Sequence, residues 1–504
     1  MTGVALVSLY GVENNGVRSI SSVLQNDGIL TSLIFLKRWV NNDIRPPSRK
    51  EVGALVSLLK ELDVGLVGLS FTSPFLGIAR EVTRQIKEKL PVCVVWGGIH
   101  ASAFPEECLA DCDVVCRGEG DYAMRDLAKA VACGRSLAGI DNICYKDDGR
   151  VRLQPLRPLI QDLDALPHQD YGGENKFFID GRLHWGDPLQ RAAELRIFAS
   201  RGCPFACSYC YNSILRSFYP GQRYHRIRKV DTVLAEIASA LSRLERIRKI
   251  KFDDDTFIFP AGWVREFCEK YPKAVGLPFE VLFNAECPSG EMFSGLKRAG
   301  LDRVQVGIQT GSAQKAAEVY DRPLHLERVA ALAGQLNELR VEVVYDVILD
   351  NPLVSYEDNV GLAEFLLTLP RPFHLFLYSL TVFPGTALCK TMLEKGLITP
   401  DEVEGRATKS LRQFRFSFGY PRKREELFIA CIISLTSKSF VPRNLIRRLM
   451  KNCFLKRHPF VLRLFAEVCN YAKLTGILVR MLWRREAGLW KLGEYATPRR
   501  ALIQ

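Results

Sequence analysis

The stretch "SRGCPFACSYCYN", residues 200–212, decides how this chain is read. It carries three cysteines, Cys203, Cys207 and Cys210, at C-x3-C-x2-C spacing. A disulfide takes two thiols and a structural zinc four ligands, and no fourth cysteine or histidine stands nearby at zinc-ribbon spacing. A second triple, Cys108, Cys112 and Cys116, has an equally improbable C-x3-C-x3-C spacing, so spacing alone does not separate function from accident. Context does. The 108–116 set runs into the apolar segment "DVVC" and reads as small buried thiols. The 203–210 set directly follows the strand-like "ELRIFAS" and sits in a loop with Gly202 and Pro204 and no hydrophobic period. Soft thiolates select iron–sulfur or zinc. Three of them suit a four-iron cluster whose fourth iron stays open to a substrate or cofactor.

Outward from this loop, strand and helix signals alternate on both sides. Residues 1–150 contain "GVALVSL", "DVGLVGLSF", "PVCVVWGG" and "CDVVCRGEGD" with helical stretches between them, the pattern of a parallel sheet covered on both faces. Ligands of such sheets bind at the carboxyl ends of the strands. Small residues gather there: Ser70, Thr72 and Ser73, then Gly97 and Gly98, then Gly118 and Gly120. A single glycine could merely end a strand, whereas several at one edge point to a ligand approached by backbone. Residues 151–190, with "LPHQDYGGENKFF", read as a linker. From 191 to 410 six further strand signals alternate with helices, which predicts a partial (β/α)6 barrel with the cysteine loop after its first strand. Residues 411–504 read as a basic helical region.

Composition narrows the classes. Apolar residues make up 47% of the 504, enough for large cores. No signal-peptide pattern, no uninterrupted apolar run of membrane-spanning length and no dense cysteine framework are found, so a cytoplasmic protein is expected. The net charge of +13 belongs to the tail: residues 411–504 hold 20 Lys+Arg against 5 Asp+Glu, leaving about −2 for the rest. Two apolar runs in the tail, "LFIACIISLT" and "PFVLRLFAEVCNYAKLTGILVRMLW", lie between basic clusters. They read either as a helical cap over the barrel mouth or as interfacial helices that meet anionic lipid at the inner membrane face. Nucleic acid is not expected as a partner.

The cysteine loop, with the aromatic Tyr209 before its third cysteine, resembles that of the radical S-adenosylmethionine (SAM) enzymes. "FDDDTF", "VGIQTGS", "YDVILDNP" and "FPGT" resemble later barrel segments of the cobalamin-dependent subgroup, and "RYHRIRKVDTVLAEI" its basic run after the cluster loop. "GLSFTSPF", "GGIHASAFPEECL" and "VVCRGEGD" resemble its Rossmann-like cobalamin domain, so the likeness covers roughly residues 1–400 in order.

The resemblance implies a [4Fe-4S] cluster on Cys203, Cys207 and Cys210, SAM on its open iron, and cobalamin. It implies SAM contacts at Tyr209, Asp254, Asp255, Gln309 and Ser312. For Asp254 and Asp255 the plain alternative is exposed charge after a strand. It implies cobalamin contacts at Ser70, Thr72, Gly97, Gly98, His100, Gly118, Glu119 and Gly120. The Asp-x-His-x-x-Gly motif of cobalt-ligating domains is absent, so His100 is expected in a loop near the cofactor rather than on cobalt. Arg223, Arg226 and Arg228 could grip a carboxylate or phosphate, or form a solvated approach to a helix.

The activity implied is methyl transfer to an unactivated carbon of a small-molecule or lipid-like substrate, through a 5′-deoxyadenosyl radical and methylcobalamin. The electron donor would be of flavodoxin or ferredoxin type. A cobalamin radical SAM cyclase or ring-rearranging oxidoreductase is the nearest alternative. A cobalamin- or redox-sensing module is another, which would want an output element that the sequence does not offer.

Overall fold

The computed structural model describes residues 3–38, 45–286, 291–403 and 422–483. The tail charges at 411–421 and 484–504, including the arginine pairs at 484–485 and 499–500, lie outside the described residues.

The first sheet has nine strands: β1 (Gly3–Leu9), β2 (Thr31–Leu36), β3 (Val64–Ser70), β4 (Cys93–Gly97), β5 (Val114–Cys116), β6 (Ile143–Asp147), β7 (Arg150–Leu153), β8 (Lys176–Asp180) and β9 (Arg182–Trp185). Their order is β7-β6-β5-β4-β3-β1-β2-β8-β9. Strand β1 pairs in parallel with both β2 and β3, so the strand order reverses there. Such a switch point opens a crevice at the carboxyl edge. All seven residues of β1 are buried. Val4 and Leu6 join the core that continues into the second sheet, and Ala5, Val7 and Leu9 join a separate core on the opposite face. A strand covered on both sides has no polar register, which is why its sequence is a continuous apolar run.

The stretch expected as a linker is part of this sheet. β8 pairs in parallel with β2, and β9 returns antiparallel on it. Buried charges fasten the segment. Arg18 forms a two-pronged pair with Asp187 at 2.8 Å and also donates to the Asp170 carbonyl. Lys176 pairs with Asp170 at 2.5 Å. Paired in this way, the ions are tolerable inside, but loss of either partner would strand a buried charge.

The second sheet is all parallel: β10 (Glu194–Ile197), β13 (Lys249–Phe252), β14 (Phe279–Phe283), β15 (Leu301–Gln309), β16 (Glu342–Leu349) and β17 (His374–Ser379), in that order. Helices connect consecutive strands, giving a partial (β/α)6 barrel. A short antiparallel ribbon, β11 (Ser200–Arg201) with β12 (Arg226–Ile227), rises between β10 and β13. The strand faces differ sharply. Phe252, Val281, Val304 and Val306 pack under the helices. On the opposite face charges of alternating sign lie side by side. Lys251 is in register with Glu280, Glu280 with Arg303, and Arg303 with Glu342. Lys249 reaches Glu280 at 2.7 Å and Arg303 reaches Glu342 at 3.0 Å.

The described tail is helical: Arg424–Thr436, Arg443–Met450, Cys453–Arg457 and Pro459–Trp483. It does not cap the barrel mouth. Arg371 donates to the Lys438 and Val441 carbonyls, Arg443 to the Leu369 carbonyl and Lys473 to the Phe373 carbonyl. All of these anchors lie in or beside the segment that leads into β17, so the helices pack on the barrel's flank. Near the mouth, Arg422 forms a two-pronged pair with Asp350 at 2.7 Å. Among the described residues no helix is long and apolar enough to cross a membrane.

Candidate active site

The carboxyl ends of the two sheets face one cavity of about 740 Å³, lined by residues of both. The first sheet contributes Ser70, Gly97, Gly98, Gly118, Glu119 and Gly120. Two of these glycines are sterically required. At Gly98 the backbone has φ 96°, and a Cβ would sit 2.5 Å from the Phe71 carbonyl oxygen. At Gly118, φ is 65° and a Cβ would collide with the Tyr219 hydroxyl. Both positions favour glycine on conformation alone, and at Gly98 the crowding is against backbone and excludes a side chain.

Opposite stands the cysteine loop. Gly202, at φ 83°, leads into it, and a Cβ there would run into the Tyr224 carbonyl. The Cys210 N–H donates to the Cys207 carbonyl at 3.0 Å. Ser208 ties the loop down by donating its N–H to the Tyr320 carbonyl and its hydroxyl to the Val319 carbonyl. Tyr209, Cys210 and Asp255 open onto the cavity, whereas Cys203 and Cys207 are buried and do not line it. Burial pushes the Cys203 thiol up to about 12 and raises that of Cys210. These thiols would therefore be deprotonated by a bound metal rather than by solvent. No three His, Cys, Asp or Glu groups among the described residues converge on a single-ion site. Zinc would need such convergence. A cluster that takes one thiolate per iron does not.

Several expected ligands serve other purposes. Asp254 is fully buried and accepts from the Ser200 N–H at 2.6 Å, the Ser200 hydroxyl at 2.5 Å and the Ala199 N–H at 3.3 Å. It shapes the approach to the cysteine loop and does not reach the cavity. Burial pushes its carboxyl up to about 7 against those hydrogen bonds. Asp255, exposed and open to the cavity, is also raised by desolvation, against a hydrogen bond from Asn212. Ser312 caps the helix Ala313–Tyr320, accepting from the Lys315 N–H. Gln309 ends β15 at φ 68°, where the register with β16 shifts, and does not line the cavity. Thr72 is exposed outside it.

The arginines are likewise committed. Arg226 donates to Glu119 at 2.8 Å and to the Ile160 carbonyl at 2.9 Å. Arg228 pairs with Glu236 at 2.5 Å and donates to the Phe198 carbonyl. Arg223 is exposed and donates to the His225 carbonyl. Glu119 thus faces the barrel as a latch between the two sheets, which Arg201 joins through Glu119 and Asp121. His100 is buried behind the wall. Its Nδ1 lies 2.9 Å from the Ser73 hydroxyl, which in turn meets the Tyr211 hydroxyl across the domain boundary. Desolvation pushes its imidazole down to about 4, so the ring is neutral.

Two residues bear on the site without having been singled out in the sequence. Arg322 lies 3.8 Å from the Cys207 sulfur and donates to the Gly307 carbonyl at 3.0 Å. Burial alone would lower its pKa, and neighbouring Tyr209 and Cys207 raise it instead, so the cation is retained beside the cysteines. Asp346 sits in β16 among apolar neighbours, accepting twice from Gln305. A charged residue inside an apolar strand run was the available signal for Asp346. For Arg322, 112 residues beyond the cysteine loop, there was none.

The donors fit the groups implied. Three thiols with a cation beside them suit an iron–sulfur cluster. A cavity walled by glycine backbone suits a large cofactor that packs by shape, and its volume lies within the range of cofactor pockets.

The comparisons agree. Residues 1–128 match the B12 binding domain and residues 197–366 the radical SAM superfamily. The chain is similar to the uncharacterized methyltransferase PH0819 of Pyrococcus horikoshii, with 35% identity over 40% of this chain and 42% of that protein. It is similar to the anaerobic magnesium-protoporphyrin IX monomethyl ester cyclase of Rubrivivax gelatinosus, with 30% identity over 49% of this chain and 42% of that one. The matches therefore span about two fifths of each relative's length. In fold it resembles the radical SAM methyltransferase TsrM from Kitasatospora setae, with a TM-score of 0.64, 14% identity and coverage of 88% and 89% of the two chains. A B12-binding sheet and a radical SAM barrel, joined in this order and facing one cavity, place the protein among the cobalamin-dependent radical SAM enzymes.

Proposed function

We propose that the protein is a methyltransferase acting on an unactivated carbon of a small-molecule substrate, lipid-like in the finer reading. The observation that carries this is the shared cavity. The cysteine loop and the glycine edge open into one shared cavity, as a reaction needing both cofactors within reach of one carbon requires. Cys203, Cys207 and Cys210 would hold the cluster, Tyr209 and Asp255 would meet SAM, and the edge from Ser70 to Gly120 would seat cobalamin. Bound there, these groups supply radical generation and a transferable methyl group. The chain's own part is placement and the exclusion of water, for which the seam of Arg201, Arg226, Glu119 and Asp121 closes one side. A flavodoxin- or ferredoxin-type protein would supply the electron.

The cyclase reading is the alternative, favoured by the identity to the Rubrivivax protein. Anaerobically reconstituted enzyme given methyl-labelled SAM separates the two. Label passing to cobalamin and then to product supports methyl transfer. Formation of 5′-deoxyadenosine with no label in any product supports the cyclase, and absence of both overturns the radical SAM reading of the site.

A further inference from the structure

The last helix, Pro459–Trp483, is apolar on two opposite faces, and only one of them is covered. Leu462, Ala466, Cys469 and Asn470 are buried against the barrel-flank helices. Phe460, Val461, Leu464, Val468, Tyr471 and Val479 are 40–66% exposed. At 3.6 residues per turn these six fall within an arc of about 100°, forming one stripe along a helix about 37 Å long. Phe454, 62% exposed, precedes the stripe in the short helix before it. A monomer rarely leaves so long an apolar row in water without a use for it.

The charges on the two short helices that precede the stripe in the chain point to what covers it. From Arg443 to Arg457 there are six Lys or Arg and no Asp or Glu. Three of the six are engaged: Arg443 with the Leu369 carbonyl, Arg447 with Glu364 and Lys456 with Glu425. Arg448, Lys451 and Arg457 are exposed, with no acidic partner among the described residues. Exposed aromatics and aliphatics next to unpaired cations complement one surface in both respects, an anionic bilayer whose headgroups meet the cations and whose acyl boundary takes the stripe.

We propose that the outer face of Pro459–Trp483, with Arg448, Lys451 and Arg457, docks the enzyme onto anionic phospholipid. No described helix is long and apolar enough to span, so the contact is peripheral. This deepens the lipid-like substrate reading and rests on it only for its purpose. Docking is measured without turnover, so the two can fail separately.

The test is co-sedimentation of the full-length protein with phosphatidylcholine vesicles, with and without phosphatidylglycerol, across a salt series. Binding is expected only with phosphatidylglycerol and should weaken as salt rises. Replacing Arg448, Lys451 or Arg457 with Gln should each weaken it about five-fold at low salt. The triple variant F460S/L464S/V468S should bind poorly at every salt concentration while keeping its circular dichroism and its iron content. Three results overturn the proposal: no binding of the full chain at low salt, unchanged binding by the triple variant, or equal binding to neutral vesicles. A fourth is a dimer that the triple substitution converts to monomer without vesicles present, which would make the stripe a contact between copies of this chain.

Discussion

The first sheet meets the cavity along an edge rich in glycine, at Gly97, Gly98, Gly118 and Gly120; the barrel meets it with the side chains of Tyr209, Cys210, Asp255 and Arg201. A glycine edge is damaged by atoms gained, because an added carbon runs into the protein behind it, as at Gly98 against the Phe71 carbonyl. A wall of side chains is damaged by atoms lost, because each missing group removes a donor or a charge. The two walls also differ in how they show in sequence: glycines announce themselves, whereas the partner of an arginine does not.

The largest effect should come from subtraction on the barrel wall. Replacing Cys203, Cys207 and Cys210 together with alanine should abolish bound iron and sulfide and the visible absorbance of the reconstituted protein, while cobalamin binding persists. Iron that survives would move the ligands to other cysteines and break the comparison on its stronger side. Addition to the glycine edge comes next. Gly98→Val puts a branched side chain at φ 96° against the Phe71 carbonyl, a strain of about 2–3 kcal/mol. Cobalamin affinity, read by equilibrium dialysis, should fall at least about ten-fold with iron content unchanged. Unaltered affinity would show that this glycine edge is not where the cofactor packs.

A smaller effect is expected at the joint. Arg226 is only 3% exposed, and Arg226→Ala would leave the Ile160 carbonyl without this donor and Glu119 with the Ile160 N–H and the more distant Arg201. Denaturant unfolding should show a loss of about 3 kcal/mol. The same unfolding of both sheets together would sharpen the picture of a latch, and their separation into two transitions would place the loss at the seam.

The smallest effect concerns Asp346, whose carboxyl burial pushes up to about 7. Because the folded state keeps a proton that the unfolded chain has released, stability should decline as pH rises from the usual carboxylate range through about 7. Asp346→Asn should flatten that decline and gain most above pH 7, measured by denaturation at a series of pH values. A decline of the same size in the variant would assign the titration elsewhere.

Much of this architecture was legible. The apolar runs of β1, β3 and β4 and the six barrel strands stand out because both kinds of sheet bury at least one whole face, and burial writes itself as composition. The cysteine loop stood out because it follows a strand without hydrophobic period. Strands β8 and β9 were missed because "KFFID" and "RLHW" are short and set among glycines and charges, and their place in the sheet depends on buried pairs such as Arg18–Asp187, 169 residues apart. Asp254 was expected to meet SAM because a charged residue after a strand looks the same whether it binds a cofactor or a neighbouring loop. The last helix posed a different difficulty. Its sequence carries apolar residues on two opposite faces, so periodicity could not tell which of them the barrel would leave bare.

The row of alternating charges from Lys251 through Glu280 and Arg303 to Glu342 bears on how the barrel finds its alignment while folding. Parallel strands with apolar faces are forgiving of sliding, since one valine fits another's place nearly as well. If β15 slid by one residue, Arg303 would turn under the helices among Val281 and Phe279, and Val304 would be left between Glu280 and Glu342. Every such misalignment buries a charge beside hydrocarbon and leaves its former partners unanswered. The charged row therefore acts as a proofreading key: it admits one alignment of four strands, and with it the one placement of their carboxyl ends at which the cysteine loop and the glycine edge meet.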